Sequence, residues 1–448
     1  MAAKKRKISW TVARFLMVFV LSAGSFALAA GPKGEVVYSP SHGSWYTRVG
    51  FDPHTGLGGA SVTPKSLVFD SLTTKDGKGA DVPALAESWK IAADQLTVDF
   101  ILRKGVTFHN GDPFSAKDVK FSIERAMRED LRFVYGPQFQ RYFASVEVVD
   151  DYHVRIRLKE PYPGIIERLY ATAIMPKGYV EKVGDAGFAA KPVGAGPFRV
   201  VKFIIDRFLE VEAVENHYRK TPYVKKFTLR NVAEPSTKLA MLKTGEADLI
   251  YLNPPLIAIV KKDPNLQIFW NRHCLVHMLV FFDLAHPEDS PFKDPRVRRA
   301  TSLAIDRKGI GSTILHGSHE PWGSFFAPYH LGFDASRNVP DPYDPKKSKQ
   351  LLAEAGYAKG FDTVLVGHLS YREAYAAIQQ QLKDVGIRAR LQIDETGTWA
   401  STVVAGKYRG IGYGSGPYWS GITHPGVAAE NHITGTWSHK LATPAARK

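Results

Sequence analysis

The sequence predicts an α/β fold with mixed β-sheets. Segments in which apolar and polar residues alternate, as in half-buried strands, are interspersed with segments whose apolar residues recur every three to four positions, as in helices. A β-α-β unit can be recognised in the C-terminal third, and such a unit joins parallel strands. The 448 residues, 44% of them apolar and 23% charged, suffice for a globular protein of about three domains.

The first 30 residues have the three parts of an export signal. Basic residues at positions 4–7 and Arg14 precede an apolar stretch from Phe15 to Ala30, and Ala27-Leu28-Ala29 is a small-x-small cleavage signal. The apolar stretch is shorter than the ~20 residues that span a bilayer, which argues against an uncleaved anchor helix. We therefore expect export by a Sec-type route with cleavage near Ala29.

The charge and the cysteine count exclude several classes of protein. Lys and Arg number 59 against 44 Asp and Glu, and loss of the five basic residues of the export signal would leave a net charge of +10. These basic residues are spread among acidic and apolar ones, whereas a nucleic-acid-binding protein concentrates them in a stripe. The single Cys274 excludes internal disulfides and multi-cysteine metal sites. We expect no nucleic-acid partner.

Three elements can be placed in the first half of the mature chain. The stretches 152–158 and 209–213 alternate apolar and polar residues, which predicts half-buried strands. Ser115 and Asp118 have the spacing of a capping box, so a helix should begin directly after Ser115 with its apolar residues on one face.

The C-terminal part has the clearest local topology. Asp344-Pro345 starts a helix that Gly356 closes, and 363–366 has the composition of a strand. A second helix then ends at Gly386, and 387–393 alternates as the next strand. The two strands should be parallel and joined by a right-handed crossover.

The sequence lacks the patterns of common catalytic and cofactor sites. It contains no G-x-x-x-x-G-K-[ST], no G-x-S-x-G and no H-E-x-x-H. The glycines of 410–416 fall at every second position, which is not the dinucleotide-binding pattern. His273 and His277 lie in 268–282, which is typical of a strand, and four residues along a strand span ~13 Å, too far to share a metal ion. We expect no enzyme activity, no cofactor and no metal site.

Six motifs follow one another along the mature chain. They are Phe51–His54 with Val68–Leu72, Pro83–Trp89, Phe100–Val119, Pro192–Phe198, Leu242–Asp248 and Pro291–Lys308. The longest is close to the signature F.LR.GVkFHdG.PftAeDV. On these motifs the chain resembles the extracytoplasmic solute-binding proteins of ABC importers, family 5, the group of oligopeptide-, dipeptide- and nickel-binding proteins.

We interpret the longest motif as structural. His109 to Pro113 combines turn-forming residues before a capped helix, and an ion pair between Arg103 and Asp118 would fix that corner.

The resemblance implies a two-lobed clamp of the periplasmic-binding-protein class, type II, with three subdomains and a hinge. It divides the chain into a signal peptide (1–30), lobe 1 (31–75 and 190–265), an insertion subdomain (76–189) and lobe 2 (266–448). It also implies a periplasmic monomer that captures a solute by hinge closure and delivers it to an ABC permease in the inner membrane.

The solute site is expected where peptide-binding relatives carry a Trp and an Asp that holds the peptide's ammonium. The corresponding stretch here, Gly412–Trp419, contains no carboxylate, and an ammonium buried without an anion is disfavoured. Its aromatic faces and its hydroxyl suit an opine-like or sugar-like solute as well as a peptide-like one. The predicted ligand-binding residues are Trp45, Tyr46, Trp322, Tyr413, Gly414, Ser415, Tyr418 and Trp419.

Two other functions stay open at this point. One is a secreted hydrolase, which would need a nucleophile-base pair or a metal set. The other is a chaperone or sensor on the same fold without transport, which would act on unrelated proteins without a small ligand.

The end of the chain is a second departure from the family. Relatives continue after the stretch corresponding to Thr436–Lys440 with a helical segment and a return into the first lobe, whereas this sequence stops at Lys448. The expectation is a truncated product in which one lobe lacks a closing segment.

Overall fold

The computed structural model describes residues 32–40, 51–55, 62–76, 80–133, 135–205, 207–270, 277–286, 288–323 and 333–415. These residues belong to one unit that starts at Pro32. The export signal, the C-terminal end and the predicted site residues Trp45, Tyr46, Tyr418 and Trp419 lie outside the described residues. Within the described ranges, every helix is too short or too polar to cross a membrane.

The described residues form strands and helices in alternation. The strands are β1 (Glu35–Ser39), β2 (Thr73–Lys75), β3 (Asp81–Pro83), β4 (Ala86–Ile91), β5 (Thr97–Leu102), β6 (Phe143–Asp150), β7 (His153–Leu158), β8 (Phe198–Ile204), β9 (Phe208–Ala213), β10 (Lys226–Arg230), β11 (Leu249–Ile250), β12 (His277–Phe281), β13 (Phe361–His368), β14 (Ile387–Asp394) and β15 (Ile411–Ser415). The helices are α1 (Val62–Val68), α2 (Ala116–Ala126), α3 (Gly136–Tyr142), α4 (Ile165–Tyr170), α5 (Lys177–Ala190), α6 (Pro235–Thr244), α7 (Pro254–Val260), α8 (Pro295–Leu303), α9 (Arg307–Gly309), α10 (Pro345–Glu354), α11 (Arg372–Asp384) and α12 (Thr396–Val404).

The first sheet is mixed and has the order β11-β1-β10-β9-β8. Strand β1 lies parallel to both of its neighbours, so that Tyr38 pairs with Leu229 of β10 and with Leu249 of β11. Helix α6 connects β10 to β11 and crosses β1 on the way. Because β1, β10 and β11 are parallel, their carboxyl ends lie at one edge of this sheet.

The second sheet is antiparallel, has the order β4-β5-β7-β6 and carries α2 on one face. Alternate residues of β7 are buried, as the alternation of 152–158 predicts, and β5 has the same burial pattern. Helix α2 begins where the sequence predicts it, because the Ser115 N–H donates to the Asp118 carboxylate at 2.9 Å.

The third sheet has the order β12-β15-β13-β14 and confirms the predicted β-α-β unit. Strands β13 and β14 pair in parallel over eight residues, from Phe361 with Ile387 to His368 with Asp394. Helix α11 joins them and packs on both strands. Gly386 closes the helix with φ +101°, a left-handed conformation in which a side chain would be strained.

Three hydrophobic clusters form the cores. One surrounds the antiparallel sheet and includes Phe100 and Phe139, and a second lies against the first sheet and includes Phe51 and Phe188. Val193 packs against both of these clusters. The described members of the third cluster all lie between Phe292 and Tyr413 and fill the lobe of the third sheet.

The most specific sequence motifs contact one another, which supports their structural interpretation. The backbone N–H of His109 donates to the Gly194 carbonyl, and its ring Nε2 lies 2.9 Å from the Gly196 carbonyl oxygen. Gly196 in turn donates its N–H to the Val68 carbonyl at 2.9 Å. The motifs around 68, 109 and 194 therefore form one junction between the first sheet and the antiparallel sheet.

The predicted ion pair between Arg103 and Asp118 is wrong. Arg103 lies 3.9 Å from Glu87 and donates to the Ala84 carbonyl. Asp118 instead accepts hydrogen bonds at its helix start and from the backbone N–H of Lys177 at 2.8 Å. Spacing in the sequence does not determine the partner of a long side chain, because Arg103 can reach several acidic and carbonyl groups.

The junction predicts that Gly196→Ala destabilises the protein. A Cβ at Gly196 would lie 2.5 Å from the Val68 carbonyl carbon and 2.8 Å from the Leu67 carbonyl oxygen, so the backbone of α1 would have to shift. We expect a loss of about 1–3 kcal/mol in the free energy of unfolding, measured by urea titration.

Gly178→Ala is the matched control, because this helical glycine has no atom within 4 Å of a new Cβ. It should be neutral or slightly stabilising. Equal stabilities of the two variants would contradict the close packing at the junction.

Candidate functional site

The carboxyl ends of three parallel strands meet at one edge of the third sheet. Strand β15 pairs in parallel with β13, as β14 does on the other side. Strand β12 runs antiparallel to β15, so that its first residue, His277, lies opposite Ser415 at the same edge. Ligands of open α/β sheets bind in crevices outside the carboxyl ends of the strands. This edge is therefore the candidate solute site.

Five side chains gather at this edge, and we call them the ring cluster: His277, His319, His368, Tyr371 and Tyr413. The Tyr371 hydroxyl lies 3.2 Å from His277 Nε2. The ring centroid of His277 lies 5.0 Å from that of His319 and 5.5 Å from that of Tyr413. These separations are those of rings in contact.

Helices α11 and α12 support Tyr413 from behind. The Trp399 indole N–H donates to the Tyr413 carbonyl at 3.2 Å, and the two ring centroids lie 5.1 Å apart. Tyr375 of α11 meets the ring of Tyr413 edge-on. Tyr413 is only 5% exposed, so packing against these two helices fixes its position in the cluster.

Two histidines of the cluster, His277 and His319, are neutral at physiological pH. Burial, together with the nearby His319 and His368, lowers the pKa of His277 to about 3. Burial also lowers the pKa of His319 to about 4. A neutral imidazole offers one N–H donor and one acceptor nitrogen. Nδ1 of His277 is buried and has no hydrogen-bond partner among the described residues, so it keeps the capacity to bind one.

An unusual helical turn positions His319. Residues Ile310–Ile314 form a π-helix, and the chain then turns through His316 and Gly317 with φ of +51° and +78°. Single π-helical turns occur frequently at functional sites, and a positive φ is strained for a residue other than glycine. The turn brings His319 into contact with His277 and Tyr371.

The structure places some of the predicted site residues at this edge. Tyr413, Gly414 and Ser415 form the end of β15, and Ser415 pairs with His277. A Cβ at Gly414 would lie 2.3 Å from Val280 Cγ2, so packing between strands accounts for this glycine. Trp322 is half-buried three residues after His319, and it has no ring contact with the ring cluster. A role of these residues in binding stays a prediction.

The sequence patterns do not identify the histidines or Tyr371 as site residues. The pattern of 268–282 indicates only that His277 lies in a strand, and His368 and Tyr371 follow the predicted strand 363–366. The order of the parallel strands could have indicated them, because side chains at the ends of neighbouring parallel strands lie close together. No group of three or more His, Cys, Asp or Glu residues within the described ranges is arranged to hold a metal ion.

Comparison with known proteins identifies the family. The family model described as bacterial extracellular solute-binding proteins, family 5 middle, matches residues 82–422. The chain belongs to solute-binding protein family 5. This is a family of receptors rather than of enzymes, and the resemblance found in the sequence motifs is confirmed.

Curated relatives in family 5 include the glutathione-binding protein GsiB of Salmonella choleraesuis, which is 32% identical over 337 residues. The match covers 73% of this chain and 64% of that protein. Heme-binding protein A of Haemophilus influenzae is 31% identical, over 70% of this chain and 61% of that protein. The chain thus spans less than two thirds of the length of these relatives.

Solved structures of family 5 proteins share the fold. The periplasmic binding protein DppA of Helicobacter pylori, in complex with the peptide STSA, superposes with a TM-score of 0.79 at 26% identity, over 92% of this chain and 85% of that one. AppA of Bacillus subtilis, in complex with a nonapeptide, gives a TM-score of 0.77 at 24% identity, over 93% and 85%. The fold is the two-lobed α/β clamp of periplasmic binding proteins, as the sequence predicts.

The neutral histidines predict that this family 5 protein loses stability in mild acid. His277 and His319 bind a proton near pH 6.5 when unfolded and only near pH 3–4 when folded. Stability should therefore be complete above about pH 6.5 and decline as the pH falls below that value. Each histidine contributes about 1–2 kcal/mol of the decline between pH 7 and pH 5.

Urea unfolding at the two pH values measures this effect in the wild type and in His277→Gln. The variant should lose less stability than the wild type over this interval, although His54 titrates in the same direction and keeps some of the slope. An identical decline in both proteins would show that His277 is not held neutral.

Proposed function

We propose that this protein is the substrate-binding receptor of an ABC importer and works in the periplasm. After Sec-type export and cleavage near Ala29, the monomer captures a solute by hinge closure and delivers it to the permease in the inner membrane. Family membership and the two-lobed fold support this proposal. Closure is driven by solute because the solute binds the closed form more tightly than the open form.

The lobes of the proposed clamp follow the motifs and are supported by the sheets. Lobe 1 comprises 31–75 and 190–265, the insertion subdomain 76–189, and lobe 2 266–448. The described strands of the first sheet fall into the lobe 1 ranges, and those of the third sheet fall into lobe 2.

The observation that carries the proposal is the ring cluster at the carboxyl edge of lobe 2. It offers flat aromatic faces and neutral imidazole nitrogens, which bind a solute by stacking and hydrogen bonding without proton transfer at neutral pH. Related binding proteins are named for glutathione and heme, and others were solved with peptides or mannopinic acid. We propose a peptide-like, opine-like or sugar-like solute.

The receptor function predicts a saturable change of tryptophan fluorescence on titration with glutathione, the peptide STSA, mannopinic acid or a maltooligosaccharide. The chain has eight Trp residues, and Trp399 lies directly behind Tyr413. At least one solute should produce the change. A flat response to all of them, together with suppression of aggregation of an unrelated protein, would favour the chaperone function instead.

A variant locates the binding site. His277→Phe keeps a ring in the cluster and removes both nitrogens, so it should weaken binding of the responding solute about tenfold while the melting temperature stays close to that of the wild type. His153→Phe is the control and should bind as the wild type does, because His153 pairs with Asp99 in the antiparallel sheet and is not part of the third sheet. Equal affinities for the two variants would remove the ring cluster from the site.

A further inference from the structure

The edge of the first sheet at which β1, β10 and β11 end carries buried polar groups. Strand β1 sits between β10 and β11, and the chain passes over it through α6. β1 is the central strand of this parallel group, and ligands of open α/β sheets bind in the crevice outside the carboxyl ends of the strands. Pro40 follows the last residue of β1 and marks this place.

Lys238 of α6 reaches this point and is buried. Lys238 is only 1% exposed, and its ammonium donates a hydrogen bond to the Pro40 carbonyl oxygen. An ammonium has three N–H donors, and this is the one hydrogen bond that the Lys238 side chain makes among the described residues. Burial lowers the pKa of Lys238 to about 8, and no described carboxylate opposes this shift. Among the described residues, this cation has no counter-ion.

Two further polar atoms at this edge lack partners in the part of the chain that the structure describes. They are the hydroxyl of Ser39, which precedes Pro40 and is fully buried, and the side-chain oxygen of Asn253, which follows β11 and is 8% exposed. The segment after β11 contacts the end of β1, because the Tyr251 N–H donates a hydrogen bond to the Ser39 carbonyl at 2.7 Å. Buried polar groups are nearly always bonded to protein, water or ligand.

The local electrostatics favour a negative charge. Lys238 lies in the first turns of α6, near the positive end of the helix dipole, and the first turn of this helix has no acidic residue. Glu234 precedes the helix, but it is exposed and makes no capping hydrogen bond with its side chain. A buried cation beside a helix N-terminus is costly unless an anion joins it.

We propose that the carboxyl end of β1 is an anion subsite, in which Lys238 binds a carboxylate or another oxyanion of the solute and Ser39 donates a second hydrogen bond. The inference rests on the proposed receptor function and narrows its solute to an anionic one. Because Lys238 is buried in this structure, the anion enters and leaves when the clamp opens. Charge-assisted hydrogen bonds of this kind are among the stronger ones in proteins.

The first test is independent of the solute. In protein labelled with 13C at the lysine Cε, the signal missing from Lys238→Met, or from Lys238→Arg if the first variant does not fold, belongs to Lys238. Its pKa is measured with acetate and with the neutral acetamide at matched ionic strength. Acetate should raise the pKa relative to acetamide, because the anion stabilises the charged ammonium. Equal values mean that only water binds there and overturn the inference.

The second test uses any solute that binds, in its free carboxylate form and as the amide or methyl ester. The wild type should prefer the carboxylate at least about tenfold, and Lys238→Met should lose this preference. Lys243→Met removes the same charge from an exposed position of α6, and this variant should still prefer the carboxylate. A preference that survives in Lys238→Met overturns the inference even if the solute binds.

The two proposals fail separately. If acetate raises the pKa of Lys238 but no solute binds, the receptor function is wrong and the anion site stands. If solutes bind and acetate has no effect, the receptor function stands and the anion site is wrong.

Discussion

The parallel pairing of strands through helical crossovers is the constraint on which both proposed sites depend. Each crossover returns the chain to the same end of the sheet, so the carboxyl ends of β13, β14 and β15 coincide, as do those of β1, β10 and β11. Side chains far apart in the sequence are thereby brought together at one edge of a sheet. His277 and His368 are 91 positions apart and belong to one cluster.

The two edges differ in the chemistry they offer. At the lobe 2 edge, burial among rings keeps the imidazoles of His277 and His319 neutral, so they can stack and exchange hydrogen bonds but carry no charge at physiological pH. At the lobe 1 edge, burial acts on a lysine that has no carboxylate beside it among the described residues. A solute with a flat or polar body and an anionic group would satisfy both edges at once. Such a solute would stabilise the closed clamp by bridging the lobes.

Much of the fold could be predicted because local signals coincide with it. Asp344 caps α10 by accepting from Lys347 N–H, Gly386 ends α11 in a left-handed conformation, and the alternation of 387–393 matches β14. The ring cluster could not be predicted in the same way, since its members come from four separate segments whose meeting depends on strand order. The prediction that Arg103 pairs with Asp118 was wrong for a related reason, because several partners lie within reach of one long side chain.

A crystal structure of the protein with the solute that co-purifies with it would locate the solute directly. We expect density for a solute that contacts His277 or Tyr413 and places an oxyanion within hydrogen-bonding distance of Lys238. A solute bound elsewhere, with the ring cluster and Lys238 both unoccupied, would contradict it.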